Sequence, residues 1–400
     1  MRLAFTAVVP LLLAACNQPI ELVWKVDLGA PSVSTPLVTE SFIAVGTEVG
    51  LTVLEPNGKI RCQYETHRDV ISAPKTDGER IYFGSTNYMV YAVTPTCQEA
   101  WKVPTGDRVK SDPLVGDGTV YFSSYDGHLY ALDAASGARR WVFPAAANVA
   151  PAEPTTTPPA VAPAASAKAK ARAKRRGKRA EPAAVAATPA PDKAATPAPF
   201  DVGDFSYSSP VLHEGVIYLG NLDHHLYAID AKSGRLLWRW ASGGAVTSTP
   251  LVDGGLIFFG SNDGNLYAMD LASHAIRWKL NTHDWVNSSP RVADGVVYVG
   301  SNDRHVYAVR ISDGTPLWAH EIVGPAIAIP AIYKNLCIAA GASGDGALYA
   351  LQRDTGAEFW KFTSGGKIES DPVIVGDRLY VSSADGTLYV FKINATQAAS

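Results

Sequence analysis

Residues able to do chemistry are few in this 400-residue chain, and their spacing limits what they can do. Of the four cysteines, Cys16, Cys62, Cys97 and Cys337, no two are adjacent. Asp126-Gly127, Asp263-Gly264 and Asp385-Gly386 offer carboxylates of the kind calcium takes. Asp-Gly is also a favoured tight-hairpin pair, and that reading is preferred here. No Ser/His/Asp set and no phosphate-cradling glycine loop stands out. One charged run does: Lys168, Lys170, Arg172, Lys174, Arg175, Arg176, Lys178 and Arg179 are eight cations with no acid among them. Their chemistry is electrostatic, an attraction to anionic surfaces. No catalytic residue, metal site or cofactor is assigned.

The scaffold that must position these residues repeats itself. Eight times a fixed slot is followed by a proline, in seven cases twelve residues later. Seven slots hold tryptophan: Trp24, Trp101, Trp141, Trp238, Trp278, Trp318 and Trp360; the eighth holds Cys62. Pro210 follows Trp141 only after an insertion of 57 residues. Repetition at about forty residues means stacked copies of one supersecondary unit. In the clearest copy, Thr249 to Val252 opens a strand and Asp253-Gly254-Gly255 turns it. Leu256 to Gly260, Leu266 to Asp270 and Ala275 to Leu280 then read as three more strands. Four short antiparallel strands without helical periodicity describe a propeller blade, so the fold class is all-β, an eight-bladed β-propeller. The last repeat lacks a fourth strand. Leu22–Val26 supplies it from the other end of the chain and hides the open edges.

Segments such as Tyr130 to Trp141, Tyr-Ala-Leu-Asp-Ala-Ala-Ser-Gly-Ala-Arg-Arg-Trp, resemble the tryptophan-docking (PQQ-like) repeat of quinoprotein dehydrogenases. The resemblance covers residues 22–393 apart from the insertion. It implies that each tryptophan stacks on the peptide at the glycine slot of the next blade, a packing role worth roughly 2–3 kcal/mol apiece. It also implies that the slots of Cys62 and Cys97 touch, and hence a Cys62–Cys97 disulfide in a compartment that permits one. Two unrelated small residues are the alternative. Cys337, inside an apolar strand, reads as a buried free thiol.

Compartment is written at the amino terminus. Met1-Arg2 and the apolar run Leu3 to Leu13 form a leader too short to span a bilayer as a helix. Leu13-Ala14-Ala15-Cys16 resembles the lipobox of bacterial lipoproteins. That resemblance implies removal of residues 1–15, lipidation (including palmitate) of Cys16, and a short tether over 16–21. Asn17 rather than Asp after the cysteine implies the outer membrane, periplasmic side. Residues 145–204 are rich in Ala, Pro and Thr, poor in large apolar side chains, and read as a disordered insertion between blades three and four. Residues 394–400 read as a flexible tail. Without the insertion and Arg2 the chain carries 25 basic residues against 33 acidic, which excludes nucleic-acid binding by bulk charge. Chain direction places the tether on one propeller face and the insertion, with the channel mouth, on the other.

Ligands of propellers sit at that mouth, beside the residues that precede each inner strand. Arg108, Lys110, Trp285, Lys367 and Glu369 are the candidates for partner or ligand contact. His128, His225 and His305 share one slot in blades too far apart for a common metal. Eight blades behind a lipobox resemble the outer-membrane assembly lipoproteins of the BamB family more than the enzymes. The resemblance implies a non-enzymatic scaffold that helps barrel proteins insert by binding the central barrel subunit of the assembly complex. Two alternatives stand: an envelope-binding propeller whose basic arm holds peptidoglycan or lipopolysaccharide, and, further off, a quinoprotein-type periplasmic dehydrogenase.

Overall fold

The computed structural model describes residues 19–143, 208–344 and 346–394. Cys16, the leader, the insertion 145–204 with its basic run, and the tail from 395 lie outside the described residues. Eight four-stranded antiparallel sheets follow one another, and the described residues contain no helix. The chain is an eight-bladed, all-β propeller. In the fifth blade the strands are Leu251–Asp253, Leu256–Gly260, Asn265–Asp270 and Ile276–Asn281, from the central channel outward.

Burial explains why these sequences take those places. The two middle strands of a blade are covered on both faces by neighbouring blades, so they are continuous apolar runs; Ile257, Phe258 and Phe259 are fully buried. The outer strand has one face in solvent and alternates, with Trp278 turned inward. The core is therefore not central. It is divided among the seams between blades, as where Ala44 and Val53 of the first blade meet Ile81 and Phe83 of the second.

Ring closure comes from the two ends of the chain. Ile20–Asp27 pairs antiparallel with Thr387–Ile393, with Trp24 opposite Val390 and Ile20 opposite Ile393. The strand begins two residues before the expected Leu22. Pro19 O accepts a hydrogen bond from Asn394 N at 2.9 Å, tying both ends together on one face.

The tryptophans dock as the repeat implies at five seams. Trp24, Trp101, Trp141, Trp278 and Trp318 lie against Gly58, Gly137, Gly234, Gly314 and Gly356, where a Cβ would come within 2.7–2.9 Å of the ring. The indole Nε1 of Trp101 and of Trp141 donates to the carbonyl of Ala134 and Ala231, each at 3.0 Å. Three seams depart from the pattern. At one, Cys62 and Cys97 are joined as a disulfide, with Cys97 in the left-handed conformation that glycine holds elsewhere. At the next departure, Trp238 meets the ring of His274, centroids 4.3 Å apart, with His274 at φ +58°. Trp360 keeps its place at the seam, packing onto Phe391 of the eighth blade, but lacks the expected glycine partner. The eighth blade is built from two chain ends and has no hairpin before its outer strand. Trp360 therefore packs against Phe362 and Phe391, with centroids 6.1 and 5.4 Å away.

Candidate functional site at the channel mouth

One face carries both the linkers between blades and the turns joining the second and third strands. The two are knitted by backbone hydrogen bonds that recur round the ring. Early in four of the linkers an N–H donates to a carbonyl in the adjacent turn: Thr105 to Tyr88, Ser242 to His224, Thr282 to Gly264 and Ile322 to Arg304, all at 2.8 Å. Further along, the carbonyls of Asp69, Arg108, Trp285 and Lys367 accept from Thr86, Tyr125, Asn302 and Ala384 at 2.8–2.9 Å. Asp69, Arg108, Trp285 and Lys367 thus hold equivalent positions on one hydrogen-bonded frame.

The five candidates do not converge on one site. Arg108 and Lys110 stand together, the guanidinium 4.6 Å and the Lys110 Nζ 4.9 Å from the centroid of the Tyr125 ring. Lys367 and Glu369 form an ion pair of their own at 3.9 Å. Trp285 is half exposed, and the next linker exposes Val323 to a similar degree. Arg108 and Lys110 also line a basin of about 540 Å³ with Arg68, Asp69, Asn87 and Tyr88.

The turn carboxylates serve the frame. Asp263 accepts from Tyr267 Oη at 2.5 Å, from Asn265 N at 3.0 Å and from Gly243 N of the preceding linker at 3.0 Å. Burial opposes its charge, but these donors prevail and hold the carboxyl below its ordinary value. Burial and the adjacent carboxylate together push the Tyr267 phenol up. Asp126 and Asp385 repeat the arrangement with Tyr130 and Tyr389. His128, His225 and His305 lie beside the tyrosine two residues on, with centroids 5.9–6.0 Å apart. Among the described residues no three His, Cys, Asp or Glu side chains gather as a metal site would require.

Two features of this frame escape a reading by motif. The first is the left-handed turn slot, held by Gly127, Gly264 and Gly386 in three blades and by Tyr88, His224 and Arg304 in three others, at φ +70 to +73°. A side chain in that conformation costs roughly 1–2 kcal/mol. The second is the residue directly before each marker proline. Ala73 N donates to Asp112 Oδ1 at 2.7 Å, Asp112 N to Ser209 Oγ at 2.9 Å, and Ser209 N to Thr249 Oγ1 at 2.9 Å. Thr249 N donates to Ser289 Oγ at 2.8 Å and Ile329 N to Asp371 Oδ1 at 2.7 Å. These bonds pass from blade to blade round the channel. Its lower part is a cavity of about 680 Å³ whose lining includes Lys75, Asp112, Arg291 and Asp371. Burial pushes the Asp371 carboxyl up to about 6, the bond from Ile329 N–H opposing and the nearby Asp112 charge adding to the rise. Cys337 is a buried free thiol whose pKa burial raises to about 12, so it is unreactive.

The family model described as outer membrane protein assembly factor BamB matches residues 12–278, 223–344 and 327–398. A protein of that description from Moranella endobia (strain PCIT) is 38% identical over 65 residues, 16% of this chain and 17% of the relative. Among solved structures, BamB from Moraxella catarrhalis has a TM-score of 0.70 at 16% identity, covering 94% of this chain and 98% of that one. The quinohemoprotein alcohol dehydrogenase from Comamonas testosteroni has a TM-score of 0.68 at 14% identity, covering 94% and 77%. The computationally designed Ika8 protein has a TM-score of 0.66 at 14% identity, covering 91% and 96%. At these identities the structural likenesses establish the fold alone.

Proposed function

We propose, for a chain that belongs to the family of outer membrane protein assembly factor BamB, a non-enzymatic scaffold that assists assembly of outer-membrane β-barrel proteins through protein–protein contacts. The observation that carries this reading is the family match, which spans residues 12–398. The mouth face supports it: polar and apolar side chains are held there on a rigid frame, dispersed over several blades rather than focused on one reacting centre. Broad contact with a folded partner needs such dispersal, and a catalytic constellation does not.

Cys16 would carry the lipid, which places the protein on the periplasmic side of the outer membrane. Ile20, four residues on, starts its strand at the face opposite the mouth. The tether therefore holds that opposite face toward the membrane and leaves the mouth looking into the periplasm. The barrel-assembly complex, through its central barrel subunit, is the partner. The dehydrogenase likeness supports a shared frame only; the sequence has no adjacent cysteines of the kind the quinone enzymes place over their cofactor.

The eight cations between Lys168 and Arg179 favour a second, compatible role, in which the insertion holds peptidoglycan or lipopolysaccharide. Affinity purification of the lipidated protein from its own membranes after mild cross-linking, beside a version lacking residues 150–200, tests both. Barrel-assembly subunits recovered with both versions support the scaffold. Envelope polymer recovered only with the insertion present, and no assembly subunit, replaces the scaffold with envelope binding.

A further inference from the structure

The basin between the second and third blades has a make-up that the demands of the frame do not explain. Arg68 and Asp69 come from one linker, Thr86, Asn87 and Tyr88 from the intervening turn, and Arg108 and Lys110 from the next linker. Two like charges are held over the single Tyr125 ring, at 4.6 and 4.9 Å from its centroid. Holding them there concentrates positive potential at the wall of a concave surface, which raises the local concentration of anions. Asp107, 3.4 Å from Arg108, offsets part of that charge. Tyr88 stands at the rim, half exposed, in a slot that glycine fills in other blades. A tyrosine kept against backbone strain at an exposed rim points to contact with something outside the chain.

We propose that this basin is a carboxylate-binding site that takes an acidic segment of a protein partner. Arg68, Arg108 and Lys110 supply the charge, and the Tyr88 ring supplies a packing face. The partner class rests on the scaffold reading; the ligand chemistry does not. Carboxylate is favoured over phosphate on the composition of the wall. Guanidinium groups pair with single carboxylates through two parallel hydrogen bonds. Asp69 in the wall and Asp107 beside Arg108 repel a doubly charged phosphate more strongly than a singly charged carboxylate. Cations drawn from two successive linkers also suit a run of carboxylates better than one compact anion.

The test uses the purified full chain and a fluorescein-labelled peptide of alternating Glu and Gly, with the Gln-Gly peptide as its neutral counterpart. The Glu peptide binds by anisotropy, weakens as salt is raised, and the Gln peptide does not bind. Combined R108A and K110A weaken binding about tenfold or more, and R68E does so independently should the double variant fold poorly. Lys232→Ala, on the opposite face, changes nothing. Tyr88→Gly weakens binding while raising the melting temperature, a pairing that a purely structural tyrosine would not give. Equal binding of the Gln peptide overturns the site, as does full affinity in folded R108A/K110A and R68E proteins. Displacement of the Glu peptide by lipopolysaccharide or pyrophosphate at lower concentration than by free Glu peptide also overturns it, in favour of a phosphate site. Glu-peptide binding at this basin with no capture of assembly subunits from membranes would sink the scaffold reading and leave the site standing.

Discussion

Asp371 donates its backbone N–H to Thr35 Oγ1 at 2.9 Å, across 336 positions of the chain. It is one of the inner bonds that close the ring, beside that from Ser382 Oγ to Ser34 O at 2.6 Å, and is matched at the outer edge by the pairing of Trp24 with Val390. The same aspartate accepts from Ile329 N through Oδ1, so one residue couples the seventh, eighth and first blades.

That coupling has a pH signature. Burial raises the Asp371 carboxyl from its ordinary value of 3.8 to about 6, so the folded protein holds its proton more tightly than the unfolded chain. Between those values stability falls as pH rises, and it levels off above about 6; the loss is at most about 3 kcal/mol. Asp371→Asn keeps the oxygen acceptor and removes the charge. It should flatten the melting-temperature profile between pH 4 and 6 and raise stability at neutral pH. Asp371→Ala loses the acceptor as well and should cost about 1–3 kcal/mol relative to Asn. Identical profiles for wild type and Asn would remove Asp371 from the account.

The Cys62–Cys97 disulfide closes a loop with a sequence separation of 35. Loop-closure entropy puts its contribution at about 4 kcal/mol. Non-reducing peptide mapping of the native protein should find the two peptides linked, and reduction should lower the melting temperature. Combined Cys62→Trp and Cys97→Gly should recover most of that loss by rebuilding a tryptophan on a glycine. Two free thiols in the native protein would contradict the bridge.

Two glycines separate backbone cost from docking cost. Gly295 has φ +76° and a Cβ added there would meet nothing within 4 Å, whereas at Gly314, φ +73°, a Cβ would meet the Trp278 ring at 2.7 Å. Gly295→Ala should cost roughly 1–2 kcal/mol in denaturant unfolding. Gly314→Ala should cost about 1–3 kcal/mol more, because the indole must move. Equal losses would mean that the tryptophan does not dock tightly.

The blades were legible because tryptophan and proline mark each one at a fixed distance, and because doubly buried middle strands leave unbroken apolar runs. The departures were harder to read for physical reasons. Trp360 has the repeat's spacing, but its partner would lie on a hairpin that the eighth blade, assembled from two chain ends, does not possess. His274 occupies a glycine slot since an imidazole face can meet Trp238 where a peptide would. Asp112 and Asp371 were not singled out in the sequence, although each directly precedes a marker proline. Their bonds depend on how one inner strand sits beside the next, which spacing along the chain does not reveal. The mouth candidates were taken from residues preceding the inner strands, and such positions form a ring, not a cluster: Arg108 with Lys110 meet over Tyr125, while Trp285 and the Lys367–Glu369 pair stand elsewhere on the rim.

On the proposed scaffold reading, the mouth face meets the barrel-assembly machinery. A photo-crosslinking residue placed at Trp285, at Tyr88 and, on the opposite face, at Lys232 of the full chain, with identification of what is captured in living cells, tests this. Capture of a barrel-assembly subunit from positions 285 and 88 but not from 232 is the predicted result. Capture from 232 alone, or of envelope polymer and no protein from the mouth, would contradict it.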